Sequence, residues 1–535
     1  MNAAGIRSAE TVVLLLLFFV VILAVLAKRF KTPYPIVLVI GGLLISFIPG
    51  IPRVTLHPSI IFLGVLPPLL FSSAFVTSWR DFRYGLVSII FLAFGLVGFT
   101  VWGVAATTRW FLPGFNWETG LILGAVVATT DSIAATSIAK RLRLPRKLVD
   151  VLEGESLVND ATGLLALQIA VGLVVTGRAP SLARDVATML YLVFGSILLG
   201  LGVAWCMHWI ETRIEDAAVE ITVSLMAPYF SYLIAESLHA SGVLATVVCG
   251  LYLGHKSSLY FSTAARLTSD AVWSTLTFVL NGLVFILIGL QLPVILSQFH
   301  GMGMSHLLFY GALVSIIVIL LRMIWVFPGA FFSNWMRRRV FGQPEPFPDR
   351  RAVFVLGWAG MRGVVALAAA ISLPKFLGDG EPFPERAMII FLTFCVIFVT
   401  LVLQGLTLPP LIRRLGISTP EGVNPEEQFA RQAVADAALA YLEHAKEGDK
   451  PEFARVYDLL VRAERHRLNV LTGKIAENTG YSEEDYQRFR EIAGQLRALQ
   501  RATLLHLRNE NQINDNLMRK LEREVDIMET RPMGL

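Results

Sequence analysis

The chain has 535 residues, of which 55% are hydrophobic and only 16% charged, with a mean hydropathy of +0.61. A soluble domain carries about 25% charged residues, so a wholly soluble protein is excluded. Of the 87 Asp, Glu, Lys and Arg side chains, 38 lie in 421–535, and the net charge of +5 divides into +9 before that segment and −4 within it. A long apolar region therefore precedes a charged tail, and no basic cluster interleaved with aromatics points to nucleic acid.

A membrane-spanning helix needs about 20 mostly apolar residues. The first such run, Thr11 to Ala27, is followed at once by Lys28, Arg29 and Lys31. It has no small-residue cleavage site, so it reads as a first span and not as a signal peptide. Further candidates centre near residues 41, 67, 96, 129, 165, 197, 227, 249, 285, 318, 363 and 400, about thirteen spans in all. Lys and Arg in alternate loops number 20 on one side and 7 on the other, the minority set including Arg53 and Arg178. That asymmetry places the N-terminus outside and the tail in the cytoplasm of a multi-pass protein in the cell inner or plasma membrane. Arg322 and Arg362 are left over within spans. Cys206, Cys249 and Cys395 are far apart in apolar runs and read as packing residues. Two domains follow: a transmembrane domain over 1–415 and a cytosolic helical tail over 416–535. In the tail, QFARQAVADAALAYLEHA and FREIAGQLRALQRATLLHLRNE place apolar residues at helical spacing. The GDKP turn and Gly480 break it into three or four helices. It carries no catalytic motif and reads as a packing or regulatory bundle, open to a regulatory ligand or partner.

Several polar residues fall where lipid is expected. The fifth span, ETGLILGAVVATTDSIAATSIAK, holds Thr129, Thr130, Asp131 and Ser132 at its middle. A carboxylate at the bilayer centre costs about 3 kcal/mol on insertion scales. Its Ala-rich, β-branched setting with three hydroxyls predicts a locally broken helix, whose freed carbonyls and hydroxyls are hard ligands for an alkali cation. The sixth span opens on VLEGESLVND, 151–160. At helical periodicity Glu155, Ser156, Asn159 and Asp160 fall within about 140° of one another and share a face. Glu153 and Asp150 lie nearer the basic loop and read as surface partners of Arg146 or Lys147. In the twelfth span, AVFVLGWAGMRGVVALAAAISLP, Arg362 sits between Gly360 and Gly363. A buried arginine keeps its proton and demands an anion, and Asp131, Glu155 and Asp160 are the candidates. The two broken-looking spans are seven apart. That spacing suits an inverted-repeat transporter of six spans, a linker span and six spans, with its site at the midplane.

Taken together, ATTDSIA, EGESLVNDATGLLAL, SGVLATVVCGLYLGH, LNGLVFILIGLQL and GMRGVVALA, in this order over about residues 10–415, resemble the cation/proton antiporters of the NhaP and sodium/proton exchanger type. The resemblance implies an all-α polytopic fold of the NhaA kind. It would have thirteen transmembrane helices as two inverted six-helix repeats with two broken crossing helices, forming a homodimer with a dimerisation half and a transport half. It implies that Asp160 is the carboxylate that takes up cation or proton, and that Asp131, Thr130 and Ser156 help to ligate the transported Na⁺. Asn159 stands where electrogenic relatives have an aspartate, and Glu155 and Arg362 match a structural ion pair that ties the broken helices to the sixth span.

The expected activity is secondary antiport of Na⁺, or Li⁺ or K⁺, against H⁺, serving sodium transport and pH homeostasis. Proton and cation would compete at Asp160, and with Asn159 in place of a second acid the exchange would be electroneutral, one for one. No cofactor is expected beyond the transported Na⁺ and H⁺, and membrane lipids and a second copy of the chain are the expected partners. A cation channel using the same acids is the competing reading, but no filter loop is evident. An enzyme is disfavoured because His208, His239 and His255 are scattered near span ends.

Overall fold

The computed structural model describes residues 3–48, 57–176, 182–299, 303–340, 342, 349–377, 381–417, 425–472 and 483–530. Arg53, Arg178 and Gly480 lie outside the described residues. Among those described, nine helical stretches are long and apolar enough to cross a membrane, and the only β pairing is an isolated bridge between Phe376 and Pro382. The chain is an all-helical polytopic membrane protein that falls into two compact units. One comprises Met1–Thr77, Asp81–Tyr260 and Asp270–Thr419; the other comprises Ser78–Arg80, Phe261–Ser269 and Pro420–Leu535.

The first unit opens with α1 (Ala3–Arg29) and α2 (Tyr34–Ser46), joined by a tight turn in which Lys31 is left-handed at φ 55°. A π-helical stretch, Ile60–Val65, leads into α3 (Leu66–Val76). Another, Phe91–Leu96, joins α4 (Trp79–Ile90) to α5 (Val97–Phe111). Next come α6 (Trp117–Ala128) and α7 (Ser132–Arg141), two collinear-in-sequence half-helices separated by three non-helical residues. Each has its own start signal. Asn116 Oδ1 accepts the Thr119 backbone N–H at 2.8 Å in a capping box, and Asp131 Oδ1 accepts the Ile133 backbone N–H at 2.8 Å.

Helices α8 (Arg146–Thr176), α9 (Leu182–Glu211), α10 (Ala217–Ser237), α11 (Gly242–Tyr260) and α12 (Thr263–Leu290) follow, then the short α13 (Leu292–Leu296) and the 37-residue α14 (Met304–Val340). A second pair of half-helices comes next, α15 (Arg350–Trp358) and α16 (Val364–Ser372), interrupted at 359–363. Helix α17 (Arg386–Val399) passes through the π-helical Thr400–Gln404 into α18 (Gly405–Leu415). The largest core cluster runs through α6, α8, α14, α16 and α17 around both interruptions, with Val126, Val127, Leu157, Val318, Ala366 and Phe391 almost wholly excluded from solvent. In that setting an unsatisfied helix end is expensive, so the partners of the broken ends decide what the interruptions are for.

The second unit contains α19 (Pro425–Gly448), α20 (Ala454–Thr472), α21 (Glu483–Asn509) and α22 (Asp515–Thr530). The GDKP segment ends α19 and leads into α20 through a single 3₁₀ turn. Two small apolar clusters hold the bundle, one around Leu504, Ile513 and Leu517 and one around Leu442, Tyr457 and Ile492. The buried Asp526 accepts from Arg266 Nε at 2.9 Å and from Arg501 Nη2 at 2.8 Å.

Candidate ion-binding site

The two interruptions meet. Residues 129–131 and 359–363 run as non-helical chain past each other, and the Asp131 backbone N–H donates to Met361 O at 2.8 Å. The approach is close: a Cβ on Gly363 would sit 2.5 Å from the Asp131 Cβ, which accounts for a glycine there. Helix α8 packs against the crossing and presents the polar face expected of VLEGESLVND.

Its side chains bind the first interruption directly. Ser156 Oγ donates to Thr130 O at 2.9 Å and accepts the Ser132 N–H at 3.2 Å. Asn159 Nδ2 donates to Thr130 Oγ1, and Thr130 Oγ1 donates to Glu155 Oε1 at 3.2 Å. The order of this relay is chemically determined. An ionised Glu155 only accepts, so the Thr130 hydroxyl gives it its proton and must itself accept from the amide of Asn159. That leaves Asn159 Oδ1 buried with no hydrogen-bond partner.

Asp160, one position on, is 6% exposed and lines a cavity of about 240 Å³ with Thr129, Thr130, Asp131, Ser132 and Ser156. Among the described residues none donates a hydrogen bond to its carboxylate. The cavity also reaches Lys140 and Glu153, which form an ion pair of 2.8 Å at its rim. Glu153, read as a partner of Arg146 or Lys147, thus takes Lys140 instead. All five residues expected at the ion site, Asp160, Asp131, Thr130, Ser156 and Asn159, are brought together around the crossing. Two carboxylates facing a small cavity with hydroxyls around them can hold a monovalent cation or a proton; uncompensated, their burial would be prohibitive.

The expected ion pair between Glu155 and Arg362 is not formed. Glu155 is gripped in bidentate fashion by Arg322 of α14, through Nη1 to Oε1 and through Nη2 to Oε2 at 2.9 Å, with both side chains 1% exposed. The same guanidinium donates to Gly357 O at 3.1 Å and Leu356 O at 3.2 Å. Arg322 therefore caps the C-terminal end of α15 while neutralising Glu155, and Gly360 leaves it room, since a Cβ there would collide with the guanidinium. Arg362 has a parallel task on the other broken helix. Its Nε donates to Val127 O at 2.6 Å, at the end of α6, and its Nη1 to Gly360 O at 2.7 Å, while its backbone N–H donates to Thr400 Oγ1 at 3.1 Å. A helix C-terminus carries about half a negative charge. Each arginine thus sits on the negative end of a half-helix, and the Val127 and Gly360 carbonyls take the place that Glu155 was expected to fill for Arg362.

Sequence reasoning missed Asn281 and Thr277 of α12, which line the same cavity, and the role of Arg322. Asn281 was visible as an amide near the start of LNGLVFILIGLQL, and Arg322 as an unpaired cation in an apolar run.

The family model for the transmembrane sodium/hydrogen exchanger matches residues 14–414. The chain belongs to the sodium/hydrogen exchanger family. An uncharacterised Na⁺/H⁺ exchanger of Mycobacterium tuberculosis is 30% identical over 513 residues, covering 95% of this exchanger and 93% of the relative. A sodium, potassium, lithium and rubidium/H⁺ antiporter of Bacillus subtilis is 32% identical over 393 residues, 71% of this exchanger and 58% of that protein. Among solved structures, a sodium proton antiporter of Methanocaldococcus jannaschii superposes with a TM-score of 0.59 at 20% identity, over 77% of this exchanger and 99% of that chain. That likeness concerns the fold.

Proposed function

We propose that this exchanger is a secondary antiporter that moves Na⁺ against H⁺ by alternating access, with Asp160 as the group for which cation and proton compete. The observation that carries the reading is the cavity at the crossing of the two broken helices, which Asp160 and Asp131 line together with Thr130 and Ser156. Family membership and relatives named as Na⁺/H⁺ antiporters support it. Asp160, free of protein donors, binds Na⁺ or H⁺. Asp131, Thr130 and Ser156 complete the cation's oxygen shell. Asn159 stays neutral, so only one member of the adjacent pair titrates, and exchange is electroneutral, one proton for one cation. Glu155 and Arg322 brace the crossing.

The wider architecture goes with this reading. We read the half-helix pairs α6/α7 and α15/α16 as corresponding members of two inverted six-helix repeats within thirteen crossings, and 416–535 as a cytosolic tail. The basic loops put the N-terminus outside in the cell membrane, so that the cavity, open past Lys140 and Glu153, faces the cytoplasm. We place the functional form as a homodimer.

The test is cation-dependent proton flux in proteoliposomes, comparing Na⁺, Li⁺ and K⁺, with wild type against Asp160→Asn. Wild type is expected to exchange Na⁺, and Asp160→Asn to elute as folded protein with no exchange. Exchange by Asp160→Asn at the wild-type rate would sink the assignment.

A further inference from the structure

A second cavity in the membrane unit, of about 870 Å³, shares no lining residue with the first and is lined by α1, the α1–α2 turn, the start of α2, α7, α12 and α18. Among the described residues four cations line it, Lys28, Lys31, Arg141 and Arg413, and no carboxylate does. They arrive from four separate places: the last turns of α1, α7 and α18, and the intervening turn. None of the four has an ion-pair partner among the described residues. The site is built, because Arg141 Nη1 donates to Lys31 O at 2.6 Å and so ties α7 to the left-handed turn at Lys31. The remaining wall is largely apolar, with Phe278 and Leu406 exposed on it.

Cations at helix C-termini have an ordinary explanation, since they offset the helix dipole. Three helix ends bring about half a negative charge each, so four full positive charges leave a surplus. That surplus, beside an apolar wall inside a membrane protein, is complementary to one class of molecule. We propose that this cavity binds the phosphate of an anionic phospholipid, with the headgroup among Lys28, Lys31, Arg141 and Arg413 and an acyl chain along Phe278 and Leu406. Its volume suits a drug-sized ligand of about 300–1,000 Å³, and basic pockets between transmembrane helices on the cytoplasmic side suit such headgroups. The proposal does not depend on which ion is exchanged.

The test uses the full-length protein in a neutral detergent, with thermal unfolding followed as dioctanoyl phosphatidylglycerol, dioctanoyl phosphatidylcholine or inorganic phosphate is added. The phosphatidylglycerol is expected to raise the midpoint saturably and the other two to leave it unchanged. Replacing two of the four cations, as in Arg141→Gln/Arg413→Gln, should raise the half-saturating concentration about thirtyfold, because each basic group near a membrane surface is worth about a factor of five. Should that variant fail to elute as folded protein, Lys28→Gln/Lys31→Gln, which keeps the Arg141 bond to a backbone carbonyl, is expected to give the same loss. An equal shift with phosphatidylcholine would overturn the proposal in favour of a purely apolar groove. A full shift with inorganic phosphate alone would overturn the lipid as the source, and undiminished binding by the folded variants would overturn the site.

Discussion

Arg322→Met tests whether the pair with Glu155 holds the crossing together. The substitution keeps the stem of the side chain and removes the guanidinium. Glu155, 1% exposed, would be left with the Thr130 hydroxyl as its donor, and Leu356 O and Gly357 O would lose theirs. Breaking one side of a buried pair costs about 3–5 kcal/mol, roughly a hundred- to several-thousand-fold in the unfolding equilibrium. Adding Glu155→Gln removes the stranded charge and leaves mainly two uncapped carbonyls, about 1 kcal/mol each, so the double variant should be more stable than Arg322→Met by about 1–3 kcal/mol. Equilibrium unfolding in mixed micelles of SDS and a neutral detergent, run on wild type, both singles and the double, measures this. A wild-type midpoint for Arg322→Met, or a double variant worse than Arg322→Met, would refute the bracing role.

Three further outcomes are expected. Asn159→Asp introduces an acid that cannot donate to Thr130 while ionised, and exchange in proteoliposomes should become sensitive to an imposed voltage; a rate indifferent to voltage would contradict the electroneutral assignment. Gly363→Ala places a Cβ 2.5 Å from that of Asp131, so Na⁺-driven proton flux should fall at least tenfold with about 1–3 kcal/mol lost in unfolding; unaltered flux would mean that the two interruptions need not lie so close. In the tail, hydrogen bonds from the Tyr457 hydroxyl at 2.8 Å and from Arg488 hold the Asp449 carboxyl down at about 2, below its ordinary 3.8. A depressed carboxylate stabilises the fold fully above its unfolded value and loses that contribution as pH falls through the folded one. Pepsin cleavage between α19 and α20 in the full-length protein should therefore accelerate from pH 4 towards pH 2, and Asp449→Asn should flatten that dependence.

The interruptions were legible because a helix pays heavily for Asp131 beside three hydroxyls, and because Gly360 and Gly363 flank an arginine. The face of α8 was legible from periodicity alone, and it delivered Ser156, Asn159 and Asp160 to the crossing. Partner choice was not. Arg362 donates to the carbonyls of Val127 and Gly360, and a backbone carbonyl leaves no mark in a sequence. Glu155 finds Arg322 from 167 positions away, a contact that only tertiary packing creates. The π-helical stretches at Ile60–Val65, Phe91–Leu96 and Thr400–Gln404 were equally invisible, since nothing in their composition distinguishes them from ordinary apolar helix.

The backbone hydrogen bond shared between the interruptions, Asp131 N–H to Met361 O, together with the clasp of Ser156 and Asn159 on Thr130, ties both interruptions to the helix that carries Asp160. In the alternating-access exchange proposed above, a cation carried by these elements as one block would keep its coordination shell for the whole journey. The energetic hurdle of turnover would then reside where the block slides against greasy neighbours, and the discrimination among ions inside it. Mutation can thus tune how fast such a protein works, by altering the sliding surface, and leave untouched which ion it chooses.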